Sequence, residues 1–257
     1  MPETVLLLHG QPGRAGDWDP LRGALGSAVE VLVPDRPGWD GSAAATDLPR
    51  NARAAVQALD AQGARHAVVV GHSLGGAVAA WLAAFHPRRV AGLVLVAPSA
   101  NVASLYRVDR VLAARGVGSL LSAASLAGVG AALKFRPVRR RIGATWGLDE
   151  RYLRASAEML LSPTAWRSFV VEQRALVRDL PLLESRLGAI SAPTRIVVGS
   201  GDRVVPLESA ARLAEQIPAA DLVVLDGAGH LLAQQQPRRL AELILEVAGV
   251  PVGRPHG

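Results

Sequence analysis

Ala67-Val68-Val69-Val70-Gly71-His72-Ser73-Leu74-Gly75, running on into an alanine-rich stretch that ends at Phe85, is the segment that decides the fold. Four apolar residues predict a strand, and the stretch after Ser73 predicts a helix, so a sharp turn must join them with a serine at its apex. Such a reversal requires glycine on both sides of the serine, because a β-carbon there would collide with neighbouring backbone. The hydroxyl is lifted clear of the sheet and lies at a helix N-terminus, where free N–H groups favour an anion. Glycine fills 26 of 257 positions, so the five-residue pattern by itself also fits a tight turn with an idle serine. Its strand-turn-helix surroundings are what give it weight.

A serine hydroxyl needs a base, and the base needs an orienting acid. Asp202 follows the apolar run Arg195 to Val198, and His230 follows Leu222 to Leu225. Both fall where a strand ends and a loop begins. In an open parallel sheet the loops beyond the strands' carboxyl ends form the ligand crevice, so three residues on three strand ends can meet there. Of the six histidines, only His230 combines a preceding glycine, an upstream strand and a helix-like stretch downstream. Asp226 competes for the acid role because it also follows a strand, but it stands four residues before His230 on the same turn.

Further strands are expected at Val5 to Leu8, Val29 to Val33 and Gly92 to Val96, and helices at Asn51 to Gln62, Leu207 to Gln216 and Pro237 to Val247. This alternation predicts an α/β fold: a mostly parallel sheet of about six strands with helices on both faces. Near-continuous Val and Leu runs suit strands covered on both sides.

Four segments, HGQPG from His9, DRPGWDGS from Asp35, GHSLGG from Gly71, and GSGD from Gly199 with GAGH from Gly227, together resemble the α/β-hydrolase superfamily. The likeness covers nearly the whole chain outside its middle. It implies Ser73 as nucleophile, His230 as general base and acid, and Asp202 as the residue holding the imidazole. It further implies that the backbone N–H groups of Gln11 and Leu74 form an oxyanion hole. His9 reads as structural, a buried ring bonding loop carbonyls. Two departures from the family pattern stand out. The sequence opens at the strand before the HG motif, so a sheet without the antiparallel strand pair that usually opens the fold is expected, and Asp40 occupies a place where relatives usually carry glycine.

Residues 99–185 break the alternation and are too long for an ordinary loop, so an inserted helical cap is expected between core segments 1–98 and 186–257. This segment carries thirteen basic residues against seven acidic ones, and the rest of the chain is balanced at fifteen of each. Solvated helix faces account for that charge most simply; an acidic substrate or an anionic membrane surface also fits it. Gly116 to Leu133 is an uncharged stretch of 18 residues, but its four glycines and three serines make it a mild candidate for a membrane span. It reads better as a cap helix whose Leu120, Leu121, Leu126 and Leu133 face an acyl group, with Trp39, Trp146, Trp166 and Leu231 as further pocket residues.

The expectation is a serine hydrolase cleaving a carboxylic ester or similar acyl compound through an acyl-enzyme. A carbon–carbon bond hydrolase acting on a diketone-type acid is the alternative within the fold. A non-catalytic small-molecule receptor is the alternative outside enzymology. No metal or organic cofactor is expected, since no pair of histidines or acids has ligand spacing. The partner is a small molecule, with no nucleic acid and no stable membrane insertion. There is no cysteine, so no disulfide scaffold is possible and nothing requires an oxidising compartment; the N-terminal apolar run is only four residues, so no signal peptide is read and cytoplasmic residence is the expectation.

Overall fold

Six strands, β1 (Thr4–Leu8), β2 (Glu30–Leu32), β3 (Ala67–His72), β4 (Val90–Val96), β5 (Thr194–Gly199) and β6 (Ala220–Leu225), make one sheet in the order β2-β1-β3-β4-β5-β6. Every pairing is parallel. The computed structural model describes residues 3–251 apart from Ser42 and Ala219. Strand order reverses between β1 and β3, the switch point at which a crevice opens beyond the strand ends. Because Leu8 pairs with Gly71, the loop after β1 lies beside the turn after β3.

Around the sheet, α1 (Asp19–Leu25), α2 (Leu48–Ala61) and α3 (Leu74–Phe85) come first. Five consecutive helices then run between β4 and β5: α4 (Arg107–Ala113), α5 (Val117–Lys134), α6 (Arg136–Trp146), α7 (Glu150–Leu160) and α8 (Pro163–Glu184). The chain returns to the core with α9 (Leu207–Gln216), α10 (Leu232–Gln235) and α11 (Pro237–Val247). Alternate strand residues face opposite sides. Leu6, Leu8, Val69 and Ile196 pack on α2, α3 and α9, while Val5, Leu7, Val68 and Val70 pack on α1 and α11. Both faces are covered, which is why the strands are apolar throughout.

Helices α1 and α10 are additions to the sequence reading. α2 starts earlier than expected, at Leu48, because the Asp47 side chain caps it by accepting the Arg50 N–H at 3.0 Å, with Pro49 in its first turn. α8 runs through Pro181 rather than stopping there, held by buried Leu180 and Leu183 on either side.

The inward face of α8 is partly polar. Ser168, Glu172 and Asp179 are buried on it, together with Ala165, Leu176 and Leu183. Ser168 donates to the Gly38 carbonyl at 2.7 Å, Glu172 binds Arg36, and Asp179 accepts the Leu48 N–H at 3.2 Å. These contacts clasp the insertion to the segment following β2.

Helix α5 corrects an expectation. Its buried residues are Gly118, Ser122, Gly130 and Leu133, since the small side chains let neighbouring helices approach closely. A β-carbon on Gly118 would meet the Val111 and Leu112 carbonyls, and one on Gly130 would lie 3.0 Å from Leu160 Cβ. Burying this stripe turns Leu120 and Leu121 outward, at 73% and 44% exposure, and Leu126 and Leu133 join the insertion's own cluster with Leu153 and Leu160. The four leucines therefore do not share one face toward the strand ends.

Candidate active site

Ser73 adopts φ 53° and ψ −119°, left-handed backbone for a residue with a β-carbon, and it starts α3. The surrounding glycines explain how this is tolerated. A β-carbon on Gly71 would overlap the Gly75 carbonyl, and one on Gly75 would overlap the carbonyls of Leu8 and His9. The turn is further fixed by the Ser73 N–H donating to Val96 O at 3.0 Å, and by Ser73 O accepting from Ser99 N at 3.0 Å.

On the neighbouring strand ends, His230 Nδ1–H donates to Asp202 Oδ2 at 2.8 Å. The other oxygen, Oδ1, accepts the N–H groups of Val204 and Val205 at 2.7 and 3.1 Å. Burial of Asp202 opposes ionisation, but the His230 hydrogen bond and charge and the two backbone donors outweigh it and hold the carboxyl below its ordinary range. Asp226, the rival acid, instead accepts from the Ser200 hydroxyl at 2.9 Å. Ser73 and His230 are both buried, at 7% and 9% exposure. Among the described residues no hydrogen bond joins them, a contact that in a substrate-free serine site often closes only on binding.

His72, beside Ser73, was legible only as one of several histidines. Its Nε2–H donates to the His230 carbonyl at 2.9 Å, which pins the backbone that carries His230. Burial and the neighbouring His230 charge push its pKa down to about 3, so it is a neutral donor and not a second base.

The loop after β1 presses against this turn: a β-carbon on Gly10 would lie 3.1 Å from Ser73 Cβ. His9, 1% exposed, donates from Nδ1 to the Gly10 carbonyl at 2.9 Å and accepts the Arg36 N–H at Nε2 at 3.0 Å. Burial, then Arg36, push its pKa well down, so it is neutral and structural, as its sequence context implied. Arg36 adds Nε–H to His9 O and Nη2–H to Gly10 O, both at 2.8 Å. Since a trans peptide is planar, fixing the Gly10 C=O also aims the Gln11 N–H on its opposite edge. The N–H groups of Gln11 and Leu74 have no acceptor among the described residues.

Arg36 is in turn paired with Glu172, two buried groups at 2% and 1% exposure, and Trp39 Nε1–H donates to Glu172 at 3.0 Å. Burial pushes the Glu172 carboxyl up against the pull of Arg36. One position along, Gln173 accepts from Gln11 Nε2 at 2.7 Å and donates to Asp109 Oδ1 at 3.1 Å. Arg36, Glu172 and Gln173 escaped the sequence reading because their partners lie far away in the chain.

A small recess beside the turn, lined by His9, Gly10, Asp17, Trp18, His72, Ala233 and Gln234 and not by Ser73 or His230, holds about 10 Å³. That is room for one water. Burial raises the Asp17 carboxyl in its wall to about 6. Of the expected pocket residues, Trp39 stands edge-on to His9 at 6.2 Å between centroids. Trp166 bonds Leu160 O at 2.6 Å inside the insertion, and Trp146 ends α6 at 39% exposure; neither lines the recess. Leu231 follows His230 and its carbonyl starts α10 by accepting from Gln235 N at 3.0 Å. No cluster of metal-ligating side chains occurs among the described residues.

Three comparisons place this geometry. A 2-hydroxy-6-oxo-6-phenylhexa-2,4-dienoate hydrolase of Burkholderia cepacia is 30% identical over 236 residues, 89% of this chain and 81% of that protein. A protein of Variovorax paradoxus provisionally named as the carbamate hydrolase RutD is 33% identical over 237 residues, 89% of this chain and 85% of the relative. The crystal structure of a hydrolase from Pseudomonas aeruginosa superposes with a TM-score of 0.75 at 27% identity, covering 97% of this chain and 91% of the other. Residues 5–243 match the alpha/beta hydrolase family. The chain belongs to that family of hydrolytic enzymes.

Proposed function

We propose that the protein is a serine hydrolase that cleaves a carboxylic ester or similar acyl compound through an acyl-enzyme. Ser73 Oγ attacks the acyl carbon while His230 Nε2 takes its proton, and Asp202 holds the Nδ1–H tautomer and stabilises the imidazolium. The oxyanion forms between the N–H groups of Gln11 and Leu74, which have no acceptor among the described residues. His230 then protonates the leaving group, and water activated by the same imidazole releases the acid. The observation that carries this reading is the Asp202–His230 hydrogen bond at 2.8 Å beside a serine held in left-handed backbone.

A second reading has support in one relative's name. A 2-hydroxy-6-oxo dienoate contains no ester or amide, so its hydrolysis breaks a carbon–carbon bond next to the ketone. The same serine, histidine and oxyanion donors serve that reaction. Arg36 is already neutralised by Glu172, so in this site a substrate carboxylate would need another cation.

A fluorophosphonate probe should label the wild type and leave Ser73→Ala and His230→Ala unlabelled. Labelling that survives Ser73→Ala ends the proposal. Turnover of p-nitrophenyl esters of graded chain length, measured beside a diketone-type acid, decides between the two chemistries. Saturable binding with no turnover of any of them would identify a receptor instead.

A further inference from the structure

We propose that the outer face of α5, with the basic residues at its two ends, is a docking surface for an anionic lipid bilayer. Val117, Leu120 and Phe135 are 67%, 73% and 66% exposed, and Leu121 beside them is 44% exposed. From Gly116 to Leu133 no charge interrupts this face. Seven exposed cations bound it: Arg107, Arg110 and Arg115 before the helix, and Lys134, Arg136, Arg140 and Arg141 at and beyond its end. None of the seven makes an ion pair among the described residues, and Asp109 is the single acid between Arg107 and Arg141. Some surface cations elsewhere, such as Arg154, Arg178 and Arg239, have carboxylate partners, and others, such as Arg151, Arg203 and Arg212, make no ion pair among the described residues.

Length and composition alone would let α5 cross a bilayer. Its packing points to a different arrangement. Gly118 and Gly130 seat it flat against α4 and α7, so one long side is occupied by protein and only the opposite side is free. An apolar side lying in the interfacial plane, with arginines reaching the headgroups at each end, is how a peripheral helix binds lipid. The same α4 carries Val108 and Val111, 55% and 49% exposed, which extend the apolar area beside Arg107 and Arg110. A second copy of the chain fits this face poorly. In a two-fold dimer the patch meets itself, which would bring the two unneutralised basic rims together.

The test is flotation of the full chain with vesicles of phosphatidylcholine alone or mixed with phosphatidylglycerol. Binding should be at least about tenfold stronger to the anionic vesicles and should weaken as salt rises. Leu120→Asp/Leu121→Asp should lose most of this binding with an unchanged thermal midpoint, and Arg136→Gln/Arg140→Gln/Arg141→Gln should flatten the salt dependence. Equal binding to neutral and anionic vesicles, or none to either, overturns the proposal. So does a wild-type dimer that Leu120→Asp/Leu121→Asp converts to monomer without any vesicle binding, because a second copy then covers the face. None of these readouts requires turnover, so they stand or fall independently of the serine chemistry.

Discussion

Around β1, β3 and β5 the polar groups are fixed largely by short-range contacts and backbone: His9 reaches the Gly10 carbonyl, Asp202 accepts the N–H groups of Val204 and Val205, and glycines clear space for Ser73. In the insertion the decisive contacts span the chain. Glu172 meets Arg36 across 136 positions, and Gln173 meets Gln11 across 162. Local contacts set the arrangement of the proposed catalytic groups, and the distant ones fasten α8 to the segments after β1 and β2. The two sets join at Gly10 and Gln11, whose shared peptide is held by His9 from within and by Arg36 from the side of α8.

The largest effect should come from the local set. Asp202→Asn keeps the volume but presents an NH₂ or a weaker acceptor to His230 Nδ1, favouring the wrong tautomer. We expect kcat to fall by about 10³ to 10⁴ with thermal stability nearly unchanged. Rates on any ester substrate at saturating concentration measure it, and a drop below about tenfold would move the acid role to another residue.

Next comes the buried pair. Arg36→Met leaves Glu172 buried without its cation and should destabilise by about 3 to 5 kcal/mol. Arg36→Met/Glu172→Leu should regain part of that in urea unfolding. Activity should not return with it, because the Gly10 carbonyl has lost the Arg36 donor that aims the Gln11 N–H. If the double variant recovers both, the pair holds α8 in place and does nothing for the oxyanion donors.

These contrasts explain what the sequence disclosed. Gly71, Ser73 and Gly75 are constrained by backbone a few residues away, so their spacing was readable, and the strands of a doubly covered sheet announce themselves by continuous Val and Leu. The inward stripe of α8 defeats the same logic. Ser168, Glu172 and Asp179 look like solvent-facing positions, because hydrophobic periodicity assumes that buried faces are apolar. Helix α5 misled for the converse reason: its buried stripe consists of glycine and serine, and its leucines face out.

A smaller effect tests the wall of the recess. Asp17 has its pKa raised from 3.8 to about 6 by burial, so the folded state binds the proton more tightly than the unfolded chain. Its contribution is most favourable below pH 4 and is lost as pH rises through 6. Asp17→Asn mimics the protonated form and still accepts the Arg14 N–H. The variant and wild type should match near pH 4 in urea unfolding, and the variant should be more stable at pH 7 by roughly 1 to 3 kcal/mol. A constant difference at both pH values would mean that Asp17 does not titrate there.

The smallest effect probes whether the insertion holds the site shut. Ser73 and His230 are only 7% and 9% exposed, so a long acyl chain reaches them only if the groups covering them shift. Gln173 ties that movement to the site, accepting from Gln11 Nε2 while donating to Asp109 on α4. Gln173→Leu removes both bonds, and a net loss of about 1 kcal/mol in the closed arrangement raises the open fraction about fivefold. A binding-competent state that is scarcely populated weakens apparent affinity by its own fraction, so kcat/KM for a long-chain ester should rise by a similar factor through KM. An acetate ester, needing less opening, should change little. A parallel fall in kcat for both esters would instead assign Gln173 to support of the Gln11 N–H, and the distant contact would then belong to the reacting geometry as fully as His9 does.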